Sequence, residues 1–246
     1  MIQALLFDIN GTVVDILTDE GNADLYRTLS NFLDYQGVSV TPEALRNLYN
    51  EINKRQRKES GEKYPEFKVK AIFSEIIDRF GSDYTRDLPK WKRNHLPRVM
   101  AELFRAAARF RLQLYPGVRE VLDQLRANYR LAAVTDGQKL WAIPEMRSLG
   151  LLEYFDPVIV SSSHGYRKPD RRMFERMLTK LNLDPSEVLF IGNDMFRDVY
   201  GAKRVGIQTI FFESNQGSRE PAGAEPDYII RNFSELPEAV RFLSEK

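Results

Sequence analysis

Several short segments of the chain carry residue types that could attack an electrophilic centre. Asp8-Ile9-Asn10-Gly11-Thr12 is the most telling. The apolar run Ala4-Leu5-Leu6-Phe7 delivers Asp8 to a strand end, and Gly11-Thr12 turns the chain there. A carboxylate is a poor nucleophile in water, but it becomes effective when held in line with its target and when a metal ion offsets repulsion from an anionic substrate. Asn10, two residues on, has an amide that neither releases nor accepts a proton near neutral pH, so no acid–base step can come from it. In Thr135-Asp136-Gly137, the threonine hydroxyl and the N–H groups of Asp136 and Gly137 suit the oxygens of a bound anion. Arg167-Lys168-Pro169-Asp170 opens a helix. Gly192-Asn193-Asp194 is followed by Asp198, and on a helix Asp194 and Asp198 would share a face, as a hard oxygen-ligated cation such as Mg²⁺ requires.

The elements that position these residues divide the chain into two zones. Apolar strand patterns occur near Ile2–Phe7, Leu131–Val134, Val158–Val160, Val188–Ile191, Thr209–Phe212 and Tyr228–Ile230. Between them lie helical patterns near Val118–Asn128, Lys139–Leu149, Arg171–Leu181, Val199–Val205 and Leu236–Leu243. Such alternation predicts an α/β fold, a Rossmann-like parallel sheet covered by helices on both faces. Asp8, Thr135, Asn193 and Asp194 each follow a strand end, where ligands of an open parallel sheet bind. Residues 17–114 carry helical periodicity only, with Thr41-Pro42 reading as an N-cap and first-turn proline and Gly81 as a stop. The expected organisation is therefore an α/β core of residues 1–16 and 115–246 around an all-helical insert of residues 17–114. Asn215–Pro226 reads as a flexible loop.

In order and spacing, the chemistry-bearing segments resemble motifs I to IV of the haloacid dehalogenase superfamily. The resemblance implies a hydrolase in which Asp8 is the nucleophile, Thr135, Asp136 and Gly137 bind phosphoryl oxygens, and Lys168 offsets the negative charge around Asp8. It makes the insert a cap that excludes water and selects the substrate. It also implies Mg²⁺, held by Asp8, the backbone carbonyl of Asn10 and the motif IV residues Asn193, Asp194 and Asp198. Asn10 and Asn193 depart from the pattern. Asn10 stands where the family has a second aspartate that shuttles the leaving-group proton. Asn193 stands where motif IV has its first acid, so that either its amide oxygen or the carboxylate of adjacent Asp194 would meet the metal; Asp194 is the preferred ligand on charge.

Bulk properties suit this reading. The 246 residues carry a formal net charge of +1, 43% hydrophobic and 29% charged residues, and no cysteine. Thiol catalysis and disulfides are thereby excluded, and nothing favours nucleic acid as a partner. No apolar stretch approaches the ~20 residues of a membrane span, and the N-terminus lacks a signal-like segment, so a cytoplasmic location is expected. Between Asn50 and Tyr115 there are 16 Lys and Arg against 9 Asp and Glu, a surplus that reads as solvated helix faces or as attraction for an anionic substrate. His95 reads as a surface residue, whereas His164 is a candidate replacement for the missing acid. Asn22, Tyr26, Arg55, Lys58 and Trp91 are candidates for substrate choice.

The expected function is Mg²⁺-dependent hydrolysis of a small phosphomonoester through an aspartyl-phosphate, attenuated by Asn10. An alternative is a hydrolytic 2-haloacid dehalogenase, whose relatives lack an acid at the position of Asn10 but also dispense with Mg²⁺. A second is a non-catalytic protein binding a phosphorylated ligand. Asn10 introduced deliberately to trap an intermediate is also compatible with the sequence. Oligomeric state is open.

Overall fold

The computed structural model describes residues 1–221 and 223–245. Strands are β1 (Ala4–Phe7), β2 (Val14–Thr18), β3 (Arg109–Leu114), β4 (Arg130–Thr135), β5 (Val158–Val160), β6 (Val188–Gly192), β7 (Gln208–Phe212) and β8 (Tyr228–Ile230). Six of them form one sheet in the order β5-β4-β1-β6-β7-β8. Every neighbouring pair is parallel. The chain divides into two compact units, Met1–Ile16 with Leu112–Lys246, and Leu17–Arg111.

The second unit consists of α1 (Ala23–Asp34), α2 (Pro42–Glu59), α3 (Val69–Phe80), α4 (Asp83–Asp87) and α5 (Lys90–Ala108). Thr41 caps α2 by accepting from the Ala44 N–H, with Pro42 in the first turn. Its centre is aromatic: the Tyr49 and Phe104 rings stack at 4.5 Å, and Phe73 and Tyr26 pack on Phe104 at 5.9 and 6.2 Å. The insert is not all-helical to residue 114. Residues 109–114 alternate Arg-Phe-Arg-Leu-Gln-Leu, a period of two that suits a strand, and β3 pairs with β2 as a separate ribbon.

In the first unit the helices are α6 (Val118–Leu125), α7 (Lys139–Ser148), α8 (Arg171–Leu181), α9 (Gly201–Lys203), preceded by a π-helical turn over Met195–Tyr200, and α10 (Leu236–Ser244). The pleat of the sheet sorts its side chains. Leu5, Phe7, Leu131, Ala133, Leu189 and Ile191 face a cluster containing residues of α6 and α10. Their neighbours Ala4, Leu6, Ala132, Val134, Val188 and Phe190 face one built on Met173, Phe174, Met177 and Leu181 of α8. Both faces are apolar because helices cover both, so the sheet's polar side chains gather at its carboxyl end.

Candidate active site

β1 is central, with β4 and β6 as its neighbours, so the loops after three adjacent strands meet at one edge. Beyond β1 the Ile9 carbonyl accepts from the N–H groups of Thr12, Val13 and Val14 at 3.0–3.3 Å, closing a tight turn. Gly11 makes this turn possible. Its φ is +87°, and a Cβ there would lie 2.2 Å from Nδ2 of Asn193.

Lys168 joins the turn to motif IV. Its Nζ donates to Asp8 Oδ1 and to Asp198 Oδ1, each at 2.6 Å, and its side chain is 1% exposed. Burial would strip its proton, but Asp198 and Asp8 outweigh that and raise its pKa. Burial likewise pushes Asp198 up, to about 6, against the pull of Lys168. Oδ2 of Asp198 accepts from the N–H groups of Asn193 and Asp194 at 3.0 and 3.1 Å. Asp8 Oδ2, by contrast, has no partner among the described residues, nor does the Asn10 amide.

Motif IV differs from its expected helical form. Asp194 is the N-cap of the π turn rather than a member of a helix shared with Asp198. Its Oδ1 accepts from the N–H groups of Phe196 and Arg197 at 3.1 and 2.7 Å. Its Oδ2 accepts from Arg197 Nε at 2.9 Å and the Ser218 N–H at 3.1 Å. Burial alone would raise Asp194, yet the Arg197 amide and guanidinium hold it below its ordinary value. Asn193 takes another path: Oδ1 accepts from the Thr12 hydroxyl at 3.1 Å, and Nδ2 reaches Ser214 Oγ at 3.4 Å. The segment after β7 that reads as flexible in fact begins as a clamp. Ser218 bonds Asp194, the Met195 N–H donates to the Ser218 carbonyl, Gln216 donates to Asp15, and Tyr115 donates to Asn215. Ala222 of that loop lies outside the described residues.

At the end of β4, Thr135 is 1% exposed and its Oγ1 is buried without a hydrogen-bond partner. Asp136 accepts from the Lys168 N–H at 3.0 Å, has Oδ2 in an ion pair with Arg167 Nε at 3.6 Å but without a hydrogen bond, and is raised by burial against the pull of Lys168. The expected role of the Gly137 N–H is not available, because Ser161 Oγ already accepts from it at 2.8 Å. Ser161 and Ser214 follow the strand ends of β5 and β7, the only signal by which sequence could have found them.

Other candidates lie elsewhere. His164 packs on Tyr166, and burial with Arg176 and Lys180 lowers its pKa; no hydrogen bond links its ring to Asp8, Lys168 or Asp198 among the described residues. His95 is exposed, its Nδ1 on the Trp91 carbonyl. In the insert Asn22 caps α1, the Tyr26 hydroxyl donates to the Glu20 carbonyl, and Arg55 pairs with Glu75. Trp91 is 68% exposed, and Lys58 is exposed on α2. Among the described residues no helix is long and apolar enough to cross a membrane.

The donor set can be tested against Mg²⁺. Both oxygens of Asp194 and Oδ2 of Asp198 each accept from two nitrogen donors, and no group of three or more His, Asp or Glu suited to a metal occurs among the described residues. This removes the basis for preferring Asp194. What remains is Asp8 Oδ2, a second lone pair on each of Asn193 Oδ1 and Asp198 Oδ1, and the Asn10 carbonyl, which accepts no hydrogen bond among the described residues. These fit a Mg²⁺ that keeps most of its ligands as water and substrate oxygen, the usual habit of that ion.

The chain is 29% identical over 214 residues to a glyceraldehyde 3-phosphate phosphatase of Pyrococcus abyssi, covering 87% of this chain and 82% of the relative. It is 25% identical over 237 residues to a phosphoglycolate phosphatase of Agrobacterium fabrum, covering 96% and 91%. Its fold is that of a solved 2-haloacid dehalogenase from Pseudomonas syringae, with a TM-score of 0.71, 23% identity, and coverage of 98% of this chain and 99% of the other. Residues 2–206 match the haloacid dehalogenase-like hydrolase family, and with the four motifs converging on one sheet edge, the chain belongs to that family.

Proposed function

We propose that this hydrolase cleaves a small phosphomonoester through an aspartyl-phosphate formed on Asp8. The observation that carries this reading is the state of the Asp8 carboxylate, with Oδ1 fixed by Lys168 and Oδ2 without a partner. Oδ2 attacks phosphorus, the bond from phosphorus to the ester oxygen breaks, and water then cleaves the acyl phosphate. Thr135 Oγ1 is a buried donor for a phosphoryl oxygen. Lys168 keeps its proton and counters the charge brought in by the substrate. The residues that would hold Mg²⁺ are Asp8, the Asn10 carbonyl, Asn193 and Asp198, and bound there the ion would neutralise phosphoryl charge. Relatives named for glyceraldehyde 3-phosphate and phosphoglycolate support a substrate of a few carbons. Asn10 supplies no proton to the departing oxygen, so acyl and aryl phosphates, whose leaving groups depart unprotonated, should be favoured over alkyl esters.

Mixing the protein with an acyl phosphate and Mg²⁺, quenching in acid and measuring intact mass should reveal a phosphoryl adduct that Asp8→Ala lacks. Asn10→Asp should diminish the adduct and raise turnover of alkyl esters by roughly 10²–10⁴. No adduct together with no phosphatase activity would end this reading. A 2-haloacid dehalogenase is the second reading, favoured by Asn10 and by the commitment of both Asp194 oxygens to nitrogen donors. Metal-independent halide release from a 2-haloacid would select it.

A further inference from the structure

We infer that Arg197, anchored by Asp194, is a second anion-positioning cation of this site, working beside Lys168 on the oxygens of the substrate phosphate. The inference deepens the phosphatase reading and rests on it.

A guanidinium has five N–H donors in a planar fork. Arg197 spends one side of that fork on Asp194, through Nε at 2.9 Å and Nη2 at 2.9 Å from Oδ2. Nη1 has no partner among the described residues, and the side chain is 35% exposed. It is thus a fixed cation with an open donor edge. Its surroundings lead to the reacting centre: Asp194, which it holds, donates its backbone N–H to Asp198 Oδ2 at 3.1 Å. Asp198 is bonded to Lys168, and Lys168 to Asp8, so both cations belong to one charge cluster around the nucleophile.

Asp194 has more bonds than neutralising an arginine needs. Four hydrogen bonds, including those from the backbone of Arg197 itself and of Ser218 in the segment after β7, fix its carboxylate beside the Nη2 contact. A carboxylate so fixed sets the direction of the guanidinium plane. Asn193 in place of an acid removes one negative charge from the metal's own ligands, which leaves the site with a weaker hold on a divalent cation. A planar, bidentate donor that matches phosphate geometry compensates for that loss.

The test is titration of inorganic phosphate into metal-free protein by calorimetry, with steady-state kinetics on an aryl phosphate at saturating Mg²⁺. Arg197→Gln should weaken phosphate binding about 10-fold or more, because a charge-assisted pair is lost, and should raise KM more than it lowers kcat. Arg197→Lys keeps the charge but not the fork, and should recover only part of the affinity. Asp194→Asn, which frees the guanidinium, should weaken phosphate roughly 3-fold or more while leaving calorimetric Mg²⁺ affinity within about 2-fold. Wild-type phosphate affinity in folded Arg197→Gln and Arg197→Lys, checked by thermal melting, would overturn the inference while turnover by the parent kept the phosphatase reading intact. A parent that neither binds phosphate nor turns over the ester would overturn both.

Discussion

Each compact unit buries polar atoms without a hydrogen bond among the described residues, and two of these atoms lie in different settings. One in the first unit is Thr135 Oγ1, at the carboxyl end of a central strand and among polar groups. One in the second is the Tyr49 hydroxyl, whose ring lies in an aromatic cluster with Phe73 and Phe104. An unmade hydrogen bond costs about 1–3 kcal/mol in either place. At Thr135 an anion bound as the proposed function requires would restore it, and the cost would then be part of a binding site. The Tyr49 hydroxyl makes no hydrogen bond among the described residues, and burial raises it far above its ordinary pKa, Glu20 and Tyr26 adding to the shift and Arg57 and Arg105 opposing it. The contrast teaches that an orphaned group points to function where it stands at a strand end beside fixed polar groups, and not by its lack of a partner alone.

Five substitutions would break or sharpen that contrast. Lys168→Met leaves Asp8 and Asp198 buried against each other without their shared cation, and should destabilise the protein by about 3–5 kcal/mol in urea denaturation. Adding Asp198→Asn should recover much of the loss; if it does not, the polar end of the sheet is not held by this ion pair. Thr135→Val should lower kcat about 10²–10³-fold, as loss of one preorganised donor does, while stability holds or rises. Retained turnover would place Thr135 in the same class as Tyr49. Tyr49→Phe should stabilise the protein by about 1 kcal/mol with turnover changed less than about 3-fold; a loss of stability would mean that the hydroxyl has a partner after all. Asp170→Ala, which removes the cap whose oxygen accepts from the Arg172 N–H at the start of α8, should cost about 0.5–1 kcal/mol. The Arg172 side chain holds the Asp170 pKa below 3.8. Its contribution is therefore complete above pH 3.8 and fades as pH falls through the lower folded value, so parent and variant should converge in acid.

Much of this was legible because local pattern and tertiary role agree. Val158–Val160, Arg171–Leu181 and Tyr228–Ile230 have the boundaries that periodicity predicts. Asp8, Thr135 and Asn193 were readable as strand-end residues. What escaped depends on groups distant in sequence. Asp194 reads as a metal ligand until Ser218, 24 residues away, and the guanidinium of Arg197 claim its oxygens. Gly137 reads as an anion donor until Ser161, again 24 residues away, takes its N–H. The ribbon of β2 and β3 was missed for another reason. Its strands sit at the two ends of a long helical region, so the period of 3.6 masked a short run of period two at Arg109–Leu114.

The bond between Asp8 and Lys168 spans 160 positions of sequence, and that span is also an interval of time. At ~5–20 residues/s of synthesis, roughly 8–30 s pass between the addition of Asp8 and the addition of Lys168. During that interval β1, whose four residues are wholly buried in the finished protein, lacks its β6 neighbour, and for much of it β4 as well. The nascent chain therefore carries an apolar, edge-exposed strand at the stage when self-association is easiest. Chaperone occupancy on stalled ribosomes should be highest before β6 emerges and fall once it does.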